Sequence, residues 1–224
     1  MASLLPQIDH MNYRFTREYM DRCTRHWRDI RGVEIVKFAV AALVLDTSDN
    51  ILVCRHSPRE GESVNNATGA VTETLRYLES SHDVTETALE GLARCLKEEH
   101  DIPIENIDDA ELSFAGPGSY FLGEWPVGII DGVKSTYSSV NVVLRTTNPS
   151  IFTEKQGRVS EEINGNEFMP IHNAMNTHPK RPGYLGWLQS MDEYMSEFDM
   201  RNSQPIEWPN SYIPTGEDAR APFN

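Results

Sequence analysis

LARCLKEEHDI, residues 92–102, sets two adjacent carboxylates, Glu98 and Glu99, four residues after Arg94 and Cys95. The residues leading into it are periodic. Ala88, Leu89, Leu92, Ala93 and Leu96 recur at i, i+1, i+4, i+5 and i+8, which at about 100° per residue is one apolar helical stripe facing a core. The spacing predicts a helix over residues 84–100. Glu99 falls within the stripe, Cys95 lies about 40° from it by the same rotation, and Glu98 flanks both. Residues 95, 98 and 99 are therefore expected to converge on an edge open to a cleft. A carboxylate pressed against apolar surface is costly unless it is paired or holds a cation. Arg94, one turn from Glu98, is a candidate partner. A charged last turn rolling out into water is the competing explanation of the same residues.

The flanking sequence supplies the other elements. VEIVKFAVAALVLDTSDNILVCRHS, residues 33–57, reads as two strands around the turn signal DTSDN. A further strand is expected within residues 68–80, around Val71 to Leu78, and Asp83 and Glu86 have the spacing of a capping box before the helix. Strands are expected near Leu112–Ala115, Tyr120–Leu122 and Ser139–Arg145, then a short strand and helix over residues 162–175. In residues 11–31, Phe15, Tyr19, Cys23, Trp27 and Ile30 lie at helical spacing, and six arginines fall on the other face. Residues 184–200 place Leu185, Leu188, Met191, Tyr194, Met195 and Phe198 on another helical face. Past Asn202 the tail carries Pro205, Pro209, Pro214 and Pro222 and reads as extended coil. Strands on either side of a central helix, with helices at both ends, make an α/β (α+β) chain with a mixed β-sheet sandwiched between helices.

At 224 residues, with 20 Lys and Arg against 34 Asp and Glu, the net charge is −14. Such an excess of negative charge disfavours binding to nucleic acid or to an anionic membrane surface. A small phosphorylated substrate would need local Arg, Lys or a divalent cation to offset it. Cys23, Cys54 and Cys95 have the spacing of neither a disulfide framework nor a CxxC metal site, which points to a reducing, cytoplasmic setting. No apolar run approaches the length of a membrane span, and no signal peptide is indicated.

The order of elements and the stretch around Arg94 resemble the Nudix hydrolase superfamily. The signature of that family is G-x5-E-x7-R-E-U-x-E-E-x-G-U, with U a bulky aliphatic residue. Glu86 stands eight residues before Arg94, where the box has its first Glu, and Leu96, Glu98, Glu99 and Ile102 also match. The likeness covers about residues 33–178, leaving a helical extension over 1–32 and a helix with a Pro-rich tail over 179–224. The box is degenerate: Ser80 stands at its first Gly, Cys95 at the Glu after Arg, and Asp101 at its last Gly. The resemblance implies Mg²⁺ or Mn²⁺ as cofactor, with Glu98 and Glu99 as metal ligands, Arg94 orienting the cluster and Glu86 in support. Cys95 removes one hard oxygen ligand, and magnesium does not accept a thiol in its place.

Ser80, His82, Cys95 and Glu162 are candidates for the substrate pocket, and Glu161, Glu162 and Glu167 for a further carboxylate. His82, Asp83, His100 and Asp101 are read as assisting acids, bases or ligands, or as solvated and capping groups. Beside two carboxylates, the Cys95 thiol is expected to titrate high and to serve in packing. Three functional classes follow. The first is a Nudix-like hydrolase of a small diphosphate-linked metabolite, acting with a weakened divalent-metal site. The second is a Nudix fold that has lost hydrolysis and binds, isomerises or cyclises an apolar metabolite. The third is an interaction module. The expected partner is a small molecule rather than nucleic acid or membrane. Aromatic residues on the terminal helices are expected to pack on the core or on a second copy of the chain as a homodimer.

Overall fold

The computed structural model describes residues 15–57, 67–76, 85–102, 112–114, 120–124, 128–130, 132–154, 163–181 and 183–197. In chain order these form α1 (Arg17–Arg31), β1 (Ile35–Leu45), β2 (Ile51–His56), β3 (Ala67–Gly69), β4 (Val71–Thr74), α2 (Ala88–His100), β5 (Leu112–Phe114), β6 (Tyr120–Glu124), β7 (Gly128–Ile130), β8 (Val133–Thr146), α3 (Ser150–Thr153), β9 (Ile163–Met169), α4 (Ile171–Asn176) and α5 (Tyr184–Glu197).

The two longest strands make the spine of a mixed sheet. β1 and β8 run parallel, from Ile35 opposite Ser135 to Leu45 opposite Arg145. The path β3-β2-β1-β8-β5 carries β4 against β1, β9 against β2, and β6 and β7 against β8, all antiparallel. β1 and β2 are joined through the DTSDN turn, where Asp46 Oδ1 accepts from the backbone N–H groups of Ser48 at 2.8 Å and Asn50 at 2.9 Å. In β1, Val40, Ala42 and Val44 face one core while Ala41, Leu43 and Leu45 face another. A strand buried on both faces belongs to a sheet with a layer on each side. α1 and α2 cover one face, α4 and α5 the other.

α1 starts at Arg17, capped by Thr16, whose hydroxyl accepts from Tyr19 N–H, and the expectation for residues 11–14 lies outside the described residues. Phe15, Tyr19, Cys23 and Trp27 are buried as their spacing predicts, and Tyr19 Oη meets Ser138 Oγ at 2.8 Å. Ile30 departs from that stripe. It is 61% exposed, close to the end of the helix at the left-handed Gly32. In α5 the buried residues are Tyr184, Trp187, Leu188 and Met191, whereas Leu185 is exposed. Trp187 and Tyr184 replace it on the buried face, with Trp187 Nε1–H donating to Asn141 Oδ1 at 3.1 Å. The expectations for the Tyr194 and Phe198 side chains lie outside the described residues. No helix among the described residues is long and apolar enough to cross a membrane.

Three other expectations need correction. The strand read over residues 68–80 is broken at Ala70 into β3 and β4. The strand placed near Ser139–Arg145 already begins at Val133, because polar Ser135, Thr136 and Ser138 are buried in it. The third is the start of α2. Its capping box is Thr87 with Glu90, not Asp83 with Glu86: Thr87 Oγ1 accepts from Glu90 N–H at 3.1 Å and Glu90 Oε2 from Thr87 N–H at 2.7 Å. Ala88, Gly91, Leu92, Cys95, Leu96 and His100 form its buried face, with Leu89 and Ala93 at the margin. Gly91 lets the helix lie close to the sheet. A Cβ there would fall 2.4 Å from Leu75 Cδ2 and 3.3 Å from Val40 Cγ1.

Two substitutions test this helix. Thr87→Ala removes the cap and is expected to lower stability by about 1 kcal/mol, and Leu92→Ala, deleting a fully buried side chain, by about 2–5 kcal/mol. Urea midpoints at constant slope would measure both.

Candidate metal centre

The site is built outward from Arg94. Its guanidinium grips Glu86 with two parallel bonds, Nε to Oε1 at 2.9 Å and Nη2 to Oε2 at 2.8 Å. Nη2 also donates to the Thr74 carbonyl at 2.9 Å, and Nη1 lies 2.9 Å from Glu73 Oε2. Glu86 Oε2 accepts in addition from Arg76 N–H at 3.0 Å, while Thr85 N–H donates to the Arg76 carbonyl at 2.9 Å. One side chain thus ties the end of β4 to the entry of α2, a bidentate geometry available to Arg and not to Lys. Burial pushes the Glu86 carboxyl up, but the Arg94 and Arg76 bonds and charges outweigh it and hold it below its ordinary value. The bond to Glu86 likewise raises Arg94 against its own desolvation. Glu86 is therefore the ion-pair partner of Arg94 and not a helix cap.

Beside this clamp, Glu73, Cys95 and Glu99 each bring one donor atom to within 4.8 Å of the others. Glu73 comes from β4 and the other two from α2. Cys95 Sγ–H donates to Glu99 Oε2 at 3.6 Å. Cys95 is fully buried, and burial first, then the Glu99, Glu73 and Cys54 charges, push its thiol well above the ordinary range. The sequence-based expectation of a high-titrating Cys95 agrees with this.

The expected trio of residues 95, 98 and 99 is corrected in one member. Glu98 has a side chain 59% exposed, at 3.9 Å from both Arg94 Nη1 and Arg76 Nη2, outside the group of three. The buried face of α2 is centred near Ala88 and Leu92, with Gly91 and Cys95 on one flank, and by the helical rotation Glu99 falls about 20° from Ala88 whereas Glu98 falls beyond the Gly91 margin and turns to solvent. Glu73 takes its place. It was missed because it is remote in sequence, although the strand period held the signal: Val71 and Glu73 share a face, and Val71 is buried. The other correction concerns His100, which is neither solvated nor a cap. Its side chain is 0% exposed, Nδ1 lies 3.1 Å from Asn166 Nδ2, and the ring meets Phe152 edge-on at 5.3 Å. Burial lowers it to about 4, so it is neutral. Asp101 caps α2 in the left-handed conformation, φ 53°, and pairs with Lys97. Glu167 pairs with Arg55 across β2 and β9, Nε to Oε1 at 2.7 Å, and is not in the group. Ser80, His82, Asp83, Glu161 and Glu162 lie outside the described residues.

Neither a family model nor a curated protein matches the sequence. Solved structures are similar to it. A MutT protein from Methanosarcina mazei Go1 aligns at 13% identity and TM-score 0.48, over 71% of this chain and 95% of that one. A C. elegans Ap4A hydrolase aligns at 12% and 0.47, over 72% and 99%. RenU, a Nudix hydrolase from M. smegmatis, aligns at 16% and 0.47, over 75% and 92%. The likeness is one of fold. At such identities and scores it says nothing of activity or of the role of any residue.

Arg94→Met leaves Glu73 and Glu86 without their cation and is expected to cost about 3–5 kcal/mol at neutral pH. A carboxylate depressed in the folded state stabilises it fully above its unfolded value, and that contribution is lost as pH falls through the lower folded value. Glu86, depressed from 4.5, should make the wild-type advantage over Arg94→Met shrink as pH drops below that value. Denaturation midpoints of both proteins at neutral and acid pH check the sign.

Proposed function

We propose that the chain is a hydrolase of a small metabolite in which a diphosphate joins two groups, with its site at Glu73, Cys95 and Glu99. The observation that carries this reading is the convergence of these three on one spot, with Arg94 behind Glu73. The resemblance of the Arg94 stretch to a Nudix box supports it. Hydrolysis forms a bond from water oxygen to phosphorus and breaks a bridging P–O bond. The proton lost by the water ends on the leaving oxygen. Glu99 is the base assigned to take that proton, being largely buried beside Cys95 and neutral His100.

Phosphate oxygens add negative charge to a chain already at −14. Arg94, beside Glu73, is engaged with Glu86 and Glu73. A divalent cation is the general answer to that charge. Magnesium fits this donor set poorly. It seeks oxygen octahedrally and finds two carboxylates and a buried thiol. No step is therefore assigned to it.

A panel of sugar-linked nucleoside diphosphates and dinucleoside polyphosphates, incubated with Mg²⁺, Mn²⁺, Co²⁺ or Zn²⁺ in turn, tests the reading by product separation. Turnover that falls by about 10²–10⁴ in Glu99→Gln is expected. Absence of product with every ion overturns it. The second reading, a pocket that binds or rearranges an apolar metabolite without hydrolysis, is favoured by one observation: Cys95 lies fully buried in the same apolar cluster as Leu92 and Leu96. Cys95→Asp separates the two. Restoring an oxygen donor should produce a melting-temperature rise with millimolar Mg²⁺ larger than in the wild type if the site is a cation site.

A further inference from the structure

We infer that Glu73, Cys95 and Glu99 form a site for a thiophilic divalent cation of the zinc or cobalt kind, with Cys95 as thiolate ligand and His100 as the group that holds Glu99. The donors are mixed in a way that selects among ions. Thiolate with carboxylate suits zinc and cobalt, and all-oxygen sets suit magnesium and calcium. Three protein donors also match the pattern of zinc sites that keep a position open for water or substrate. The cation would displace the Cys95 proton, which leaves to solvent, as binding through a thiol requires.

A second observation, independent of the three donors, points into the same spot. His100 Nε2 has no hydrogen-bond partner among the described residues although the side chain is 0% exposed, and it sits 3.9 Å from Glu99 Oε2. Asn166 Nδ2 donates to the Phe152 carbonyl at 3.1 Å and meets His100 Nδ1 at 3.1 Å. An amide nitrogen only donates, so Nδ1 accepts and the imidazole proton is on Nε2, turned to Glu99. A buried N–H short of an acceptor is costly. Glu99 Oε2 faces both Cys95 Sγ, at 3.6 Å, and His100 Nε2, so a cation beside Cys95 would meet a carboxylate that His100 steadies from behind, the arrangement in which ligating carboxylates are held by outer groups.

The inference shares its residues with the hydrolase reading, and the two fail separately, since the cation is read by spectroscopy and hydrolysis by product. Full-length protein stripped with chelator and titrated with Co²⁺ should develop a near-ultraviolet sulfur-to-cobalt absorption band that Zn²⁺ abolishes. Cys95→Ser should lose the band, and Cys23→Ala, a buried thiol in α1, should keep it. His100→Ala should keep the band and weaken cobalt affinity by about 10–100-fold. A wild type without the band, or a Cys95→Ser protein that retains it, overturns the inference. Zinc-edge X-ray absorption on the wild type gives a reading that needs no variant: one sulfur in the shell is expected, and none or two overturns the assignment.

Discussion

Arg94 is where the local chain path and the chemistry of the site meet. Its two parallel bonds to Glu86, its bond to the Thr74 carbonyl and its ion pair with Glu73 join the end of β4, the entry of α2 and the middle of that helix, with Thr74 20 residues before Arg94 in sequence. The cation is mostly buried, 14% exposed, and so are both carboxylates, at 9% and 20%. Ion pairs at such depth contribute little net stability compared with an apolar replacement, but breaking one partner out is expensive. Their consequence is specificity of position. With Glu86 fixed, Thr85 and Arg76 close the base of the intervening connection, and with Glu73 fixed, a strand carboxylate faces the helix.

That placement decides which residues share a site. α2 offers Cys95 and Glu99 one turn apart. β4, held antiparallel on β1 with Glu73 opposite Val40, offers the third donor from a different element. The close approach of α2 to the sheet at Gly91 brings the two together. A bulkier residue at that point would separate helix from strand and open the group of three. Packing and site geometry are here consequences of the same small residue.

The fold was largely legible because its signals are local. β-branched runs marked β1 and β2, the 3.6-residue period marked α1, α2 and α5, and the arrangement of strands around a central helix marked a mixed sheet between helical layers. The partial failures were rotations within correctly placed elements. Ile30 and Leu185 are apolar residues on the solvent side, as isolated exposed apolar residues often are. For α2, the apolar residues Leu89 and Ala93 drew the stripe toward one margin, while Gly91 and Cys95, small and not scored as strongly apolar, extend the buried face on the other. Glu98, expected beside Cys95 and Glu99, lies past the Gly91 margin and turns to solvent. Glu73 lay beyond any helical argument, since its relation to Cys95 is made by strand pairing. Reading Val71 and Glu73 as one face would have flagged it.

Cys95 also explains how the group can persist in the folded chain. Three carboxylates crowded at this depth would repel and raise one another, and folding would then lean on a bound cation. With a neutral thiol at position 95, Arg94 answers Glu73, Glu99 accepts from Sγ–H, and no third charge has to be buried. Neutral His100 adds none. A thiol at this position is a donor that becomes charged only when something displaces its proton. Such a group is electrically undemanding as it stands and would be softer in its preference for a cation, and both follow from a single sulfur on the buried face of α2.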